Sequence, residues 1–151
     1  MKDSMDIYSK PLKTKKYKLG VLYYMRPRTK KPGRELLVPY DERAPYVKGF
    51  KARYAYFVRF LEAGNCAGNH YHKKKHELLI PLVGSFEIKL EDIRTKKQES
   101  LIIQPQDYPA FYIKPGVSHS ITSRTKGGIF IVMASSSASE ADEYPYEIQM
   151  K

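Results

Sequence analysis

The chain is poor in several features, and each shortage excludes something. It has one cysteine, Cys66, in 151 residues, so no disulfide can close within it and a reducing compartment is the expectation. Its longest strongly apolar run, at 128–134, is too short to cross a bilayer as a helix. The basic N-terminus is not followed by the apolar segment of a secretory signal. No stretch sustains a 3.6-residue hydrophobic period over three turns. No repeat or low-complexity linker stands out beyond the short Ser-rich run at 135–139. What remains is a soluble, cytoplasmic protein of about one domain, long enough to bury a core of its own.

Acidic residues are scarce too. Sixteen Asp and Glu face 27 Lys and Arg, a net charge of +11, which suggests an anionic partner. The charge is uneven, however. Residues 1–31 hold ten bases and only Asp3 and Asp6 as acids, giving +8, and the other 120 residues carry only +3. The chain therefore divides into a basic N-terminal arm, 1–33, and a nearly balanced domain, 34–151. No nucleic-acid motif accompanies the charge, so neither nucleic acid nor membrane is the expected partner.

Strand signals dominate what is present. Residues 51–61 (KARYAYFVRFL) are rich in aromatic and β-branched side chains, with Tyr54, Tyr56, Val58 and Phe60 on one face. That stripe reads as core, with one or two rings available to a pocket mouth. Residues 78–83 are continuously apolar, and 85–91 alternate cleanly, with Phe86, Ile88 and Leu90 facing one way. Further strands are expected at 19–25, 35–38, 100–103, 111–113, 119–123 and 128–134, with a hairpin tip at 92–98 and one short helix at 137–143. Many short strands punctuated by Pro and Gly mean an all-β sandwich or barrel.

The segment that carries chemistry runs from Gly64 to Gly84. In an extended strand His70 and His72 project from one face, and two neutral imidazoles there begin a site for a first-row divalent metal. Glu77 joins them only if Lys73, Lys74 and Lys75 turn the chain; that lysine run reads as a solvated hairpin tip, and His76 as solvent-facing. Pro115 and Gly116 make a turn that feeds a strand opening with His119.

The spacing of Gly64, His70, His72, Glu77 and Gly84 resembles the first motif of the cupin superfamily at every fixed position, and Pro115, Gly116 and His119 resemble the second. The second motif departs from the pattern at Lys114 and Ser123, where Pro and Asn are usual. The resemblance implies a double-stranded β-helix, a jelly-roll barrel, with a site inside its mouth. It makes His70, His72, Glu77 and His119 the ligands of a divalent metal such as Zn, Fe, Mn or Ni. Within the superfamily the chain is similar to the RmlC-like nucleotide-sugar 3,4-ketoisomerases and to the cupin domains of capsular-polysaccharide epimerases. Those groups often carry an Arg where this chain has Ala67, and Arg53 or Arg59 on the neighbouring strand are the substitutes to look for.

That resemblance implies an isomerase or epimerase of a nucleotide-linked keto-deoxysugar in polysaccharide assembly, paired as a homodimer. His70 or His72 would be the general base, Tyr112 or Tyr71 would relay the proton, and Arg53, Arg59 and Tyr71 would contact substrate. A histidine cannot be metal ligand and free base at once, so two alternatives stand beside it. One is a metal-dependent oxygenase or lyase using the three-His, one-Glu set. The other is a non-catalytic cupin that binds a sugar or small ligand.

Overall fold

The computed structural model describes residues 10–28, 31–137 and 140–151. Among the described residues eleven strands succeed one another: β1 Lys13–Lys16, β2 Gly20–Tyr24, β3 Tyr54–Arg59, β4 Cys66–Tyr71, β5 Glu77–Val83, β6 Phe86–Asp92, β7 Gln98–Ile103, β8 Pro109–Ile113, β9 Val117–Ser123, β10 Ile129–Ala134 and β11 Tyr144–Pro145. The helix expected at 137–143 is only a 3-10 turn, Glu140–Asp142, and residues 138–139 lie outside the described part. Among the described residues no helix is long and apolar enough to cross a membrane.

The strands form two antiparallel sheets, β1-β2-β8-β5-β10-β3 and β11-β4-β9-β6-β7, the jelly-roll architecture that the cupin resemblance implied. Alternation decides what lies between them. Phe86, Ile88 and Leu90 of β6 meet Leu79, Phe111, Phe130 and Val132 from the opposite sheet in one buried cluster. The six-stranded sheet is also covered on its outer face. There Leu78, Ile80 and Ala110 pack with Phe50 and Met25 beneath the segment around Leu37, Tyr40 and Val47. With both faces covered, the middle of β5 needs no polar face, which explains the apolar run that follows Glu77. Pro81 lies beside the register shift of the β5–β10 ladder and beyond Leu79, where pairing with β8 ends, the kind of position in which a strand tolerates proline.

The basic N-terminal stretch differs from a free arm. Lys2 and Lys30 lie outside the described residues, but β1 and β2 add to the six-stranded sheet through β8. Leu19, Leu22 and Met25 are buried, and the Leu19 N–H donates to Glu99 Oε2 of the other sheet at 2.9 Å. Strand β1 gave no signal because all four of its residues are exposed; its lysines suit an edge strand that must not pair further. The strand expected at 35–38 is only a single bridge, Arg28 to Leu36.

Candidate active site

The histidines converge because of one irregularity. Along β4, Gly68 pairs with Ser120 of β9 and His70 pairs with the very next residue, His119. Asn69 is therefore a bulge, with φ of 59°. An extra residue re-aims the side chains beyond it, so His70 points inward like Ala67, three positions earlier, and His72 does the same two positions on. Gly68 is required at this bulge. Its φ is +91°, and a Cβ there would lie 2.5 Å from the carbonyl oxygen of His119.

Ring centroids of His70 lie 4.7 Å from those of both His72 and His119, and His72 and His119 are 5.8 Å apart. Glu77, at the start of β5, shares the inward face of Leu79. Its Oε1 lies 3.6 Å from His72 Nε2 and its Oε2 lies 3.1 Å from His119 Nε2. The His72 and His119 side chains are 5% and 4% exposed, whereas His70 is 18% exposed and opens outward. It does so into a pocket of about 370 Å³ lined by Gly68, Asn69, His70, Glu143 and Pro145.

The charges sort themselves within this cluster. Burial alone would push the Glu77 carboxyl up, but His119, His72 and His70 together bring it down to about 2, so it is ionised. Burial also opposes a charge on His72, yet the Glu77 carboxylate outweighs it and raises that ring's pKa. His119 is pushed down by burial more than Glu77 lifts it. His70 falls to about 4, through burial and then the neighbouring His119 and His72 rings. The arrangement is thus an ionised glutamate that favours a proton on His72, with His70 neutral at the mouth.

Hydrogen bonds fix the rings from behind. His72 Nδ1 lies 2.6 Å from the carbonyl oxygen of Asp142, and His70 Nδ1 lies 2.8 Å from Glu143 Oε1. Asp142 itself accepts backbone N–H groups of Lys73, Lys74 and Lys75. Burial works against its charge, but those amides hold its carboxyl below the usual range.

Other predicted residues fall elsewhere. Tyr112 sits between the inward Phe111 and Ile113, so it faces the outer layer, where its hydroxyl is 2.6 Å from His76 Nδ1. Tyr112 is therefore across the sheet from the histidines, and His76 is half-buried against it rather than solvent-facing. Tyr71 alternates away from His70 and His72 and stacks on Tyr144, with centroids 5.1 Å apart. Arg59 lies on the exposed face of β3, opposite the inward Tyr56, Val58 and Phe60, and Arg53 is exposed just before that strand. None of Arg53, Arg59, Tyr71 and Tyr112 joins the cluster. Cys66 is exposed, with Sγ 3.1 Å from Ser120 Oγ.

Three contributors went unnoticed in the sequence. Tyr56 is half-buried on the inner face of β3, and its phenol is pushed well up by burial, then by Glu77 and Glu143. Lys75, far from a solvated tip, is buried, and its charge opposes protonation of His72. Glu143 carried no motif signal, because it meets His70 from 73 residues away. Only the Tyr54–Phe60 stripe hinted at Tyr56.

The cluster also fits a divalent metal. Ligand atoms of His70, His72 and His119 lie within 4.8 Å of one another, and His72 Nε2 and Glu77 Oε2 are buried with no hydrogen-bond partner. Three imidazoles and a carboxylate suit Zn, Fe, Mn or Ni, and rings held from behind by a carbonyl and a carboxylate are typical of metal-ligating histidines.

A jelly-roll barrel with three histidines and a glutamate inside one end defines an RmlC-like cupin. Residues 34–150 match the family described as FdtA: WxcM-like, C-terminal, and the chain belongs to that family. Among solved structures, it is similar to a mutant of the 3,4-ketoisomerase QdtA from Thermoanaerobacterium thermosaccharolyticum in complex with TDP-4-keto-6-deoxyglucose. That match has 21% identity and a TM-score of 0.72, covering 86% of this chain and 89% of that one. The TDP-quinovose 3,4-ketoisomerase WlaRB from Campylobacter jejuni matches at 20% identity and TM-score 0.73, with 85% and 94% covered. NovW, a 4-keto-6-deoxy sugar epimerase from Streptomyces spheroides, matches at 13% identity and TM-score 0.73, with 88% and 72% covered. No curated protein sequence matches the chain.

Proposed function

We propose that the protein is a nucleotide-sugar isomerase that moves the ketone of a dTDP-linked 4-keto-6-deoxyhexose from C4 to C3, with His70 as general base. The observation that carries this is the His70–Glu143 pair at the pocket. A carboxylate at Nδ1 keeps the ring proton there and leaves the Nε2 lone pair free, on a ring that is neutral at pH 7. The solved ketoisomerases support the choice of reaction, since this chain covers 89% of QdtA against 72% of the epimerase NovW.

The C4 ketone acidifies the C3–H bond. His70 takes that proton, the C–H electron pair becomes the C3=C4 double bond, and the former carbonyl oxygen gains a proton. The resulting enediol then loses the proton of its C3 hydroxyl and takes one at C4, leaving the ketone at C3. Atoms and electrons balance without an outside reagent. Tyr56, half-buried on the inner face of β3 and close enough to feel the charges of Glu77 and Glu143, is placed to hydrogen-bond the carbonyl oxygen and pass it a proton as charge develops there. A divalent ion held by His70, His72, Glu77 and His119 would instead polarise the ketone as a Lewis acid, and His70 would then have no lone pair for the proton.

The reading includes a cytoplasmic homodimer. Support for pairing comes from the outer face of edge strand β3, where Phe57 is 67% exposed and lies in register with Ile131. The test of function is incubation with dTDP-4-keto-6-deoxyglucose and product identification by NMR. A dTDP-3-keto product is expected; unchanged substrate overturns the proposal, and a 4-keto sugar inverted at C3 or C5 makes the protein an epimerase.

A further inference from the structure

The short segment from Asp142 to Tyr144 meets the histidine strand residue by residue. The Asp142 carbonyl accepts from His72 Nδ1 at 2.6 Å. The Glu143 carboxylate takes His70 Nδ1 at 2.8 Å. Tyr144 pairs with Tyr71 and stacks on its ring. β11 is only two residues long and pairs with β4 alone; Tyr146 N–H adds a bond to the Asn69 carbonyl at 2.8 Å on its C-terminal side, but the ladder does not reach Asp142 on the other.

The side chain of Asp142 does what the ladder does not. Its Oδ1 accepts from Lys73 N–H at 2.9 Å, its Oδ2 accepts from Lys75 N–H at 3.0 Å, and Lys74 N–H reaches both oxygens at 3.3 and 3.2 Å. Three successive amides converging on one carboxylate make a charge-assisted, multiply bonded joint. It ties the 3-10 turn to the loop that separates His72 from Glu77, the spacing on which the cluster depends.

We propose that Asp142 is a positioning residue that latches residues 142–144 onto the β4–β5 loop, and so sets the orientation of His72 directly and of His70 through Glu143. Its carbonyl accepts the His72 Nδ1–H and so turns Nε2 toward Glu77. With the latch cut, Tyr144 stays paired with Tyr71, but residues 142–143 lose their tie to the loop and both rings lose the fixed position of the partner behind them. The catalytic consequence rests on the isomerase reading; the effect on ring orientation does not.

The test compares Asp142→Ala and Asp142→Asn with the native chain. Asparagine keeps one acceptor oxygen, so it can serve Lys73 and Lys74 but not Lys75, and it is the fallback if the alanine variant does not fold. Histidine-labelled 15N NMR of the sugar-free protein should show the His72 Nδ1–H as one sharp signal, slow to exchange with solvent, because the Asp142 carbonyl holds it. In Asp142→Ala that signal should broaden and exchange faster as the ring loses its fixed orientation, with Asp142→Asn between the two. On dTDP-4-keto-6-deoxyglucose, kcat should fall about 100-fold in Asp142→Ala, as for a catalytic group displaced by roughly 1 Å, while KM stays within about twofold because no substrate contact is removed. Asparagine should recover part of the loss. An unchanged His72 signal in a folded variant overturns the proposal, as does a lowered melting temperature with unchanged kcat. If the native protein turns over no keto-sugar, the isomerase reading fails and the NMR comparison still decides the latch.

Discussion

Replacing Gly68 by alanine tests the bulge that builds the site. The new Cβ would sit 2.5 Å from the His119 carbonyl oxygen, against 3.4 Å for ordinary contact, a shortfall of about 0.9 Å. The obstacle is backbone, so β4 must move away from β9 rather than a side chain step aside. The alanine also carries a left-handed backbone, which costs about 1–2 kcal/mol, and parting the strands gives up one or two ladder bonds worth roughly 1 kcal/mol each. The sum is about 2–4 kcal/mol. Gly64→Ala is the internal control, because its φ is +87° but nothing lies within 4 Å of the added methyl; it should cost only the backbone term. At about 2–4 °C per kcal/mol for a chain of this size, thermal unfolding should place Gly68→Ala below Gly64→Ala by several degrees. Turnover should separate them further. His70 is displaced with the strand, and a shift of about 1 Å costs on the order of 100-fold in rate, whereas Gly64→Ala should keep nearly full activity. Equal melting temperatures and equal rates for the two variants would refute the argument that the close approach at Gly68 holds His70 in place.

Three further outcomes are expected. Tyr56→Phe should lower kcat on dTDP-4-keto-6-deoxyglucose by about 100-fold or more, from the range of roughly 100- to 10,000-fold for loss of a general acid, while Tyr112→Phe, on the other face of the sheet, should stay within about twofold; steady-state kinetics of the pair decides between the two tyrosines. Added Zn²⁺ should inhibit turnover, and EDTA should restore it, because a metal on His70 Nε2 occupies the lone pair the reaction needs; activation by zinc would favour the Lewis-acid reading instead. Phe57→Glu should convert a dimer to a monomer by light scattering without unfolding the barrel, and an unchanged mass would remove that face from the interface.

The barrel was legible where burial is one-sided. In β6, Phe86, Ile88 and Leu90 alternate with polar residues because one face meets the core and the other does not, so sequence and structure agree. Strand β1 was invisible because Lys13, Thr14, Lys15 and Lys16 are all exposed and leave no period to read. The His70–His72–Glu77–His119 set was legible only through the resemblance to the two cupin motifs, since the four come from β4, the residue after it, β5 and β9. Its partners were not. Asp142 and Glu143 reach the histidines from the far end of the chain, joined by tertiary pairing that leaves no local trace. Tyr112 was misplaced for a simpler reason: a tyrosine near a motif carries no mark of which sheet face it will take, and one step along β8 reverses the answer.

The most direct test of the acid–base site is solvent exchange in D₂O. With dTDP-4-keto-6-deoxyglucose and the native protein, the dTDP-3-keto sugar that forms should carry deuterium at C4, and recovered 4-keto substrate should carry it at C3. His70→Asn, which keeps a polar side chain of similar reach without a basic nitrogen, should abolish both signals while the protein still binds dTDP. Full deuterium incorporation by His70→Asn would contradict the account, because another group would then be removing the proton.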